Sequence, residues 1–296
     1  MTLRIGTRRS PLAIAQATEV AERLRATGVE AELVGITTSG DRNTAVTGPA
    51  GLKGMFVAEI VRALRDGEVD LAVHSAKDLP AEDEEGLMLG AVPERASPLD
   101  VLVTRDGVLR PGGVVGTSSL RRQAQVFRWR PDVFLNDLRG NVDTRLRKLA
   151  EGDVDAIVLA AAGLMRLGIV PEHAAPMSVA EMIPAPGQGC LAIQARAEDA
   201  ETLGALSALD HAPTRTALLA ERSIMRRLGG GCALPLGALA QVEDGRIHMV
   251  AAVFTPEGAR EARTAVEAED PEEVAALAEG DLRAAGAEEI LAVVRP

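Results

Sequence analysis

Three kinds of side chain in this sequence are set up for chemistry: a thiol among glycines, a carboxylate behind a buried apolar run, and arginines repeated at the starts of helices. Cys232 directly follows Gly229, Gly230 and Gly231, and Pro235 comes soon after. Glycines at a helix end let the backbone take positive φ, so Cys232 is expected on a tight loop poor in side chains. Its sulfur would be accessible there, with room for a bulky attached group; the alternative is a small buried hydrophobe behind a helix cap. Asp78 lies in Val73-His74-Ser75-Ala76-Lys77-Asp78-Leu79-Pro80. A carboxylate at such a strand end can accept hydrogen bonds from ligand N–H groups and stabilise a developing cation. Lys77 suits an imine-forming amine or an anion contact, and His74 a general base or a satisfied structural residue.

The arginines follow a shared pattern. Gly6-Thr7-Arg8-Arg9-Ser10 and Gly116-Thr117-Ser118-Ser119-Leu120-Arg121-Arg122 each end a strand and open a helix. Unpaired N–H groups and the positive dipole end make a helix start an anion site. Hydroxyls and guanidinium groups added there make carboxylate or phosphate the natural ligand. Arg139, Arg145 and Arg166 add cations after later strands. As a set they imply a polyanion in a cleft between two units; taken singly, each could be a surface arginine paired with a nearby carboxylate.

Composition narrows the function classes. The chain has 296 residues and a net charge of −11, with four phenylalanines, one tryptophan and no tyrosine. That argues against nonspecific nucleic-acid binding, which wants a basic surface and stacking platforms. Only Lys53, Lys77 and Lys148 among the 32 basic residues are lysines, so Lys53 and Lys77 stand out in stretches that look functional. Cys190 and Cys232 form neither a zinc motif nor a disulfide framework, and no metal is expected. No apolar run approaches the ~20 residues of a membrane span. The N-terminus runs straight into strand-like sequence, so a cytoplasmic protein is expected.

The elements that must position these residues alternate. Strands are expected at 3–6, 30–36, 70–73 and 87–92, with helices at 12–25 and 55–66, and a polar, glycine-rich lid at 37–54. This alternation predicts a parallel sheet covered by helices. A second series has strands at 101–104, 114–116, 133–136 and 156–159 and helices at 120–128, 142–151 and 161–167. Proline-rich crossings at 93–99 and 184–189 imply that the chain leaves the first domain and returns to it. The expected domains are 1–93 with 190–210, 94–189, and 211–296. In the last, a helix at 213–228 precedes strands at 237–242, 246–254 and 261–268. Asp244-Gly245 marks a hairpin, Asp270 caps a helix, and 289–294 is expected to be a final strand.

Together, Thr7 to Ala13, Val73 to Pro80, Gly116 to Gln123, Leu138 to Leu146 and Gly230-Gly231-Cys232 resemble porphobilinogen deaminase (hydroxymethylbilane synthase). The resemblance runs in order from Leu3 to Gly237; Asp143 replaces a common glycine, and Gly229, Ala233 and Leu234 depart from the usual cysteine flanks. It implies two periplasmic-binding-protein-like α/β domains with a cleft and hinge, plus a small C-terminal α+β domain. It also implies an enzyme that joins four porphobilinogen molecules head to tail with loss of ammonia, then releases the tetrapyrrole by hydrolysis. A dipyrromethane cofactor would be held by a thioether to Cys232. Asp78 would bond pyrrole N–H groups and stabilise cations formed in deamination and coupling. Arg8, Arg121, Arg122, Arg139, Arg145 and Arg166 would bind acetate and propionate groups. Ser10, Ser75, Lys77, Thr117, Ser119 and Gln188 would line the same cleft, with Lys53 and Phe56 at the lid base and substrate pocket. The expected protein is a monomer whose partner is its small-molecule substrate, without nucleic acid or membrane. Rival readings are a two-domain anion-binding receptor or sensor without catalysis, and an imine-forming enzyme using Lys77.

Overall fold

The computed structural model describes residues 2–37, 54–229 and 234–294, apart from the side chains at 54–56 and 294. Residues 38–53 of the expected lid, with Lys53, and Cys232 fall outside these residues, as does the side chain of Phe56. The chain begins with β1 (Thr2–Arg8), α1 (Pro11–Ala26), β2 (Glu30–Ile36), α2 (Gly54–Arg65), β3 (Leu71–Ser75) and β4 (Leu87–Ala91). It continues with β5 (Asp100–Thr104), β6 (Val114–Gly116), α3 (Leu120–Trp129), β7 (Phe134–Asn136), α4 (Val142–Glu151), β8 (Ala156–Ala160), α5 (Ala161–Arg166) and β9 (Ala174–Pro176). Then come β10 (Leu191–Arg196), α6 (Ala200–Leu206), α7 (Ala212–Arg227), β11 (Leu236–Glu243), β12 (Arg246–Phe254), β13 (Glu261–Ala268), α8 (Pro271–Ala284) and α9 (Ala287–Val294).

Local chemistry accounts for the element ends. Ser10 caps α1 by accepting the Ala13 N–H at 3.3 Å, with Pro11 in the first turn, where a missing N–H costs nothing. The stripe Ala17, Val20, Ala21 and Leu24 buries this helix on its sheet. Asp270 caps α8 through the Glu272 and Glu273 N–H groups. Asp244 and Gly245 take φ of 50° and 79°, the left-handed pair that a two-residue hairpin requires.

Two five-stranded sheets have the orders β2-β1-β3-β10-β4 and β7-β6-β8-β5-β9. Both follow one plan, and neither is the parallel sheet that the alternation predicted. β10 runs antiparallel to β3 and β4, and β5 runs antiparallel to β8 and β9. Each odd strand follows a crossing: β5 as the chain enters the second sheet, β10 as it returns to the first. A strand arriving from outside a βαβ series is free of the handed crossover that keeps the others parallel. β9 and α6 had no counterpart in the expected elements. β11-β12-β13 form an antiparallel sheet backed by α7, α8 and α9 around Ile224, Ile247, Met249, Val274 and Leu282. The expected final strand at 289–294 is instead α9: Ala287, Ile290 and Leu291 bury one helical stripe against this core. A short apolar run is compatible with either period. Ile183, just before the second crossing, packs with Ala124 of α3 and with Ala252 and Phe254 of β12, joining the second unit to the third sheet.

Candidate active site

The turns after β1 and β3 face those of the second sheet across a cleft of about 320 Å³. Arg8, Ser10, Gln16, Ser75 and Lys77 line it from one side, and Arg122, Asn141, Asp143, Arg145 and Arg166 from the other. Gly187 and Gly189 of the second crossing, with Cys190 just after it, form part of its wall. Seven expected site residues therefore meet at one place: Arg8, Ser10, Ser75, Lys77, Arg122, Arg145 and Arg166. Gln16 was not foreseen. It comes from the buried face of α1 and donates from Nε2 to Ser75 Oγ at 2.7 Å, fixing that hydroxyl.

Asp78 ends the short 3-10 turn Ala76–Asp78 that follows β3. It is half-buried, and its negative charge acts on Arg145 of the opposite side and on His74. His74 is buried within β3, and burial pushes its pKa down to about 4 against the opposing pull of Asp78. It is thus neutral near pH 7, which fits the structural alternative for this residue.

The other expected residues stand behind or beside the cleft. Arg121 and Arg122 converge on Asp100, with N···O distances of 2.8 and 2.7 Å. Arg121 also donates to the Ile183 carbonyl, and Arg122 to the Val158 carbonyl. Gln188 is buried and donates from Nε2 to the Pro98 carbonyl and to Asp100 Oδ1. Of these three, only Arg122 reaches the cleft wall. Thr117 is buried, and its Oγ1 accepts the Ser119 N–H where α3 begins. Ser119 caps α3 without a side-chain hydrogen bond to it. Arg139 pairs with Asp137 at 3.1 Å near the surface. Cys190 lies one residue before β10; burial raises its thiol pKa to about 12, so it is protonated and inert.

Two charges define the electrostatics. Burial alone would raise the Asp100 carboxyl, but Arg121 and Arg122 outweigh it and hold the group well below the usual carboxylate range. Asp100 is fully enclosed and was not foreseen; its one sequence signal is an acid opening the apolar strand 100–103. In the cleft, burial and then the neighbouring Arg122 lower Arg145 to about 10. A guanidinium held against its own desolvation gains from an anion placed beside it.

A family profile described as porphobilinogen deaminase, dipyromethane cofactor binding domain, matches residues 3–204, and one described as porphobilinogen deaminase, C-terminal domain, matches residues 215–283. The chain belongs to the porphobilinogen deaminase family. It is 47% identical over 299 residues to the porphobilinogen deaminase of Brevibacillus brevis, covering 98% of this chain and 97% of that one. Against that of Desulforudis audaxviator it is 48% identical over 300 residues, with the same coverage. The Thermus thermophilus porphobilinogen deaminase is 43% identical over 300 residues, covering 98% of each chain.

The cofactor of the porphobilinogen deaminase family fits what the residues offer. A dipyrromethane brings acidic side chains, and the cleft presents Arg8, Arg122, Arg145 and Arg166 together with Lys77. The small residues Ala160, Ala162, Gly163, Gly187 and Gly189 also line it. The volume falls at the lower end of the ~300–1,000 Å³ usual for small-molecule sites.

Proposed function

We propose that this chain deaminates porphobilinogen and joins four molecules of it head to tail, then releases hydroxymethylbilane by hydrolysis, acting as a cytoplasmic monomer. The observation that carries the reading is a cation-lined cleft between two sheets, with the charge of Asp78 acting on its Arg145, in a chain of the porphobilinogen deaminase family. Its domains would be 1–93 with 190–210, 94–189 and 211–296.

A dipyrromethane joined to Cys232 through a thioether supplies the pyrrole end to which each new unit is added. Asp78 accepts hydrogen bonds from pyrrole N–H groups and stabilises the delocalised cation left on the substrate when ammonia departs. A fixed carboxylate in a partly desolvated site does this better than water. Arg8, Arg122, Arg145 and Arg166 hold acetate and propionate groups, and Lys77, Ser10 and Ser75 complete the polar wall. Arg121 and Gln188 act from behind by fixing Asp100, which aims Arg122. Thr117 and Ser119 shape the start of α3, and Arg139 receives carboxylates of the growing chain nearer the surface. Lys53 and Phe56 are assigned to the lid base and substrate pocket.

Intact mass is the test. Protein purified from cells should exceed its sequence mass by one linear dipyrrole, and Cys232→Ser should remove the excess. Asp78→Asn should keep the fold and the added mass yet lose nearly all turnover. A bare sequence mass from freshly purified, active protein overturns the reading.

A further inference from the structure

Arg166 has a carboxylate partner within the protein. Its Nε donates to Glu19 Oε2 at 2.9 Å, and its Nη2 donates to the Gly189 carbonyl at 3.2 Å. Glu19 lies on α1 beside the first sheet, Arg166 at the end of α5 beside the second, and Gly189 in the crossing between them. The ion pair therefore bridges the two sides of the cleft. Its groups are partly shielded, with side-chain exposures of 9% for Arg166 and 28% for Glu19. Beside the pair, the Leu12 side chain of α1 lies 3.7 Å from where a Cβ on Gly163 of α5 would stand. Glu19 also has an alternative cation one turn on, accepting from Arg23 at 3.0 Å. It can leave Arg166 without losing all charge compensation.

We propose that Glu19 is a positioning residue that competes with substrate carboxylates for Arg166 and latches α1 to α5 across the cleft. The proposal rests on the reading of Arg166 as a carboxylate contact. A guanidinium has donors on a fixed fork, and Glu19 and Gly189 already engage two of them. A carboxylate arriving from the cleft side must share Arg166 or displace Glu19. Displacement leaves Glu19 on Arg23 alone and unfastens this charged bridge between the helices, which frees the sides to separate as the product lengthens. A latch of this type trades substrate affinity for closure in the intervals between additions.

The test uses the enzyme with its cofactor attached and porphobilinogen as the probe, in a cycle of Glu19→Gln, Arg166→Gln and the double variant. Removing the competing charge in Glu19→Gln should lower KM about two- to fivefold, the factor that a partly exposed ion pair supplies. In the same variant kcat should change little, the thermal midpoint should hold, and amide exchange in α1 and α5 should quicken. Arg166→Gln should raise KM, and adding Glu19→Gln on that background should no longer lower it. A raised KM in Arg166→Gln with an unchanged or raised KM in Glu19→Gln overturns the competition alone. An unchanged KM in Arg166→Gln overturns both the substrate contact and the competition built on it.

Discussion

At the scale of single residues, the cleft depends on a carboxylate that never reaches it. Asp100 is fully enclosed and takes the charges of both Arg121 and Arg122. Asp100→Asn keeps the shape but leaves two buried guanidinium groups facing a neutral amide. Breaking a buried pair in this way costs about 3–5 kcal/mol, and denaturant melts of the holoenzyme should show a loss of that size. The acid response has a definite sign. Because the folded Asp100 carboxyl titrates below its unfolded value, near 3.9, its contribution is fully present above that value. It is then lost as pH falls towards the lower folded value, so wild type should lose stability from about pH 4 downward more steeply than Asp100→Asn. Equal acid slopes for the two proteins would remove Asp100 from this role. The arginines were legible in the sequence because each lies near a strand end, a helix start or a helix end. Their division of labour was not: Arg121 and Arg122 are neighbours in sequence, yet only one lines the cleft. The residue that separates them lies 22 positions upstream of Arg122.

At the scale of elements, the turn that carries Asp78 is pressed against the second crossing. Gly187 has φ +73°, and a Cβ there would stand 2.9 Å from the Lys77 nitrogen and 3.0 Å from the Ala76 carbonyl carbon. Both are backbone atoms of the Asp78 turn, so relief must come from moving that turn. Gly187→Ala should cost about 1–3 kcal/mol in stability, and displacement of Asp78, proposed as the catalytic carboxylate, should lower turnover about ten- to a hundredfold. Gly67→Ala is the control: φ is +70° there but nothing lies within 4 Å, so it should lose stability and keep turnover. Comparable turnover in the two variants would contradict the coupling of crossing to turn. Most element positions were legible, since capping residues and hydrophobic period are local. Sheet order was not: β5 and β10 take their direction from crossings whose geometry depends on all the sheets at once. The run at 289–294 failed for the opposite reason, being too short for its period to separate a strand from α9.

Across the whole molecule, the two crossings and the third sheet meet at one buried carboxylate. Glu221 of α7 is fully enclosed and holds Arg95 of the first crossing at 2.7 Å. It also accepts the Gly187 N–H of the second crossing at 2.6 Å and the Ala240 N–H of β11 at 2.8 Å. Arg95 closes the loop by donating from Nε to the Gln188 carbonyl at 2.9 Å. The sheets that form the cleft are thus pinned at their crossings to the unit that follows them, while Glu19 and Arg166 supply a weaker, exchangeable bond between α1 and α5. A firm node at the crossings with a loose latch between helices is the arrangement that permits hinge opening without loss of register. Glu221→Gln keeps one acceptor for an N–H group but leaves Arg95 without its countercharge. The expected cost is about 3–5 kcal/mol. Because the break falls between units, calorimetry should show one unfolding transition for wild type and two for the variant, the third sheet and its helices melting apart from the rest. One transition with an unshifted midpoint would mean that packing around Ile183, Ala252 and Phe254 joins the units without the carboxylate.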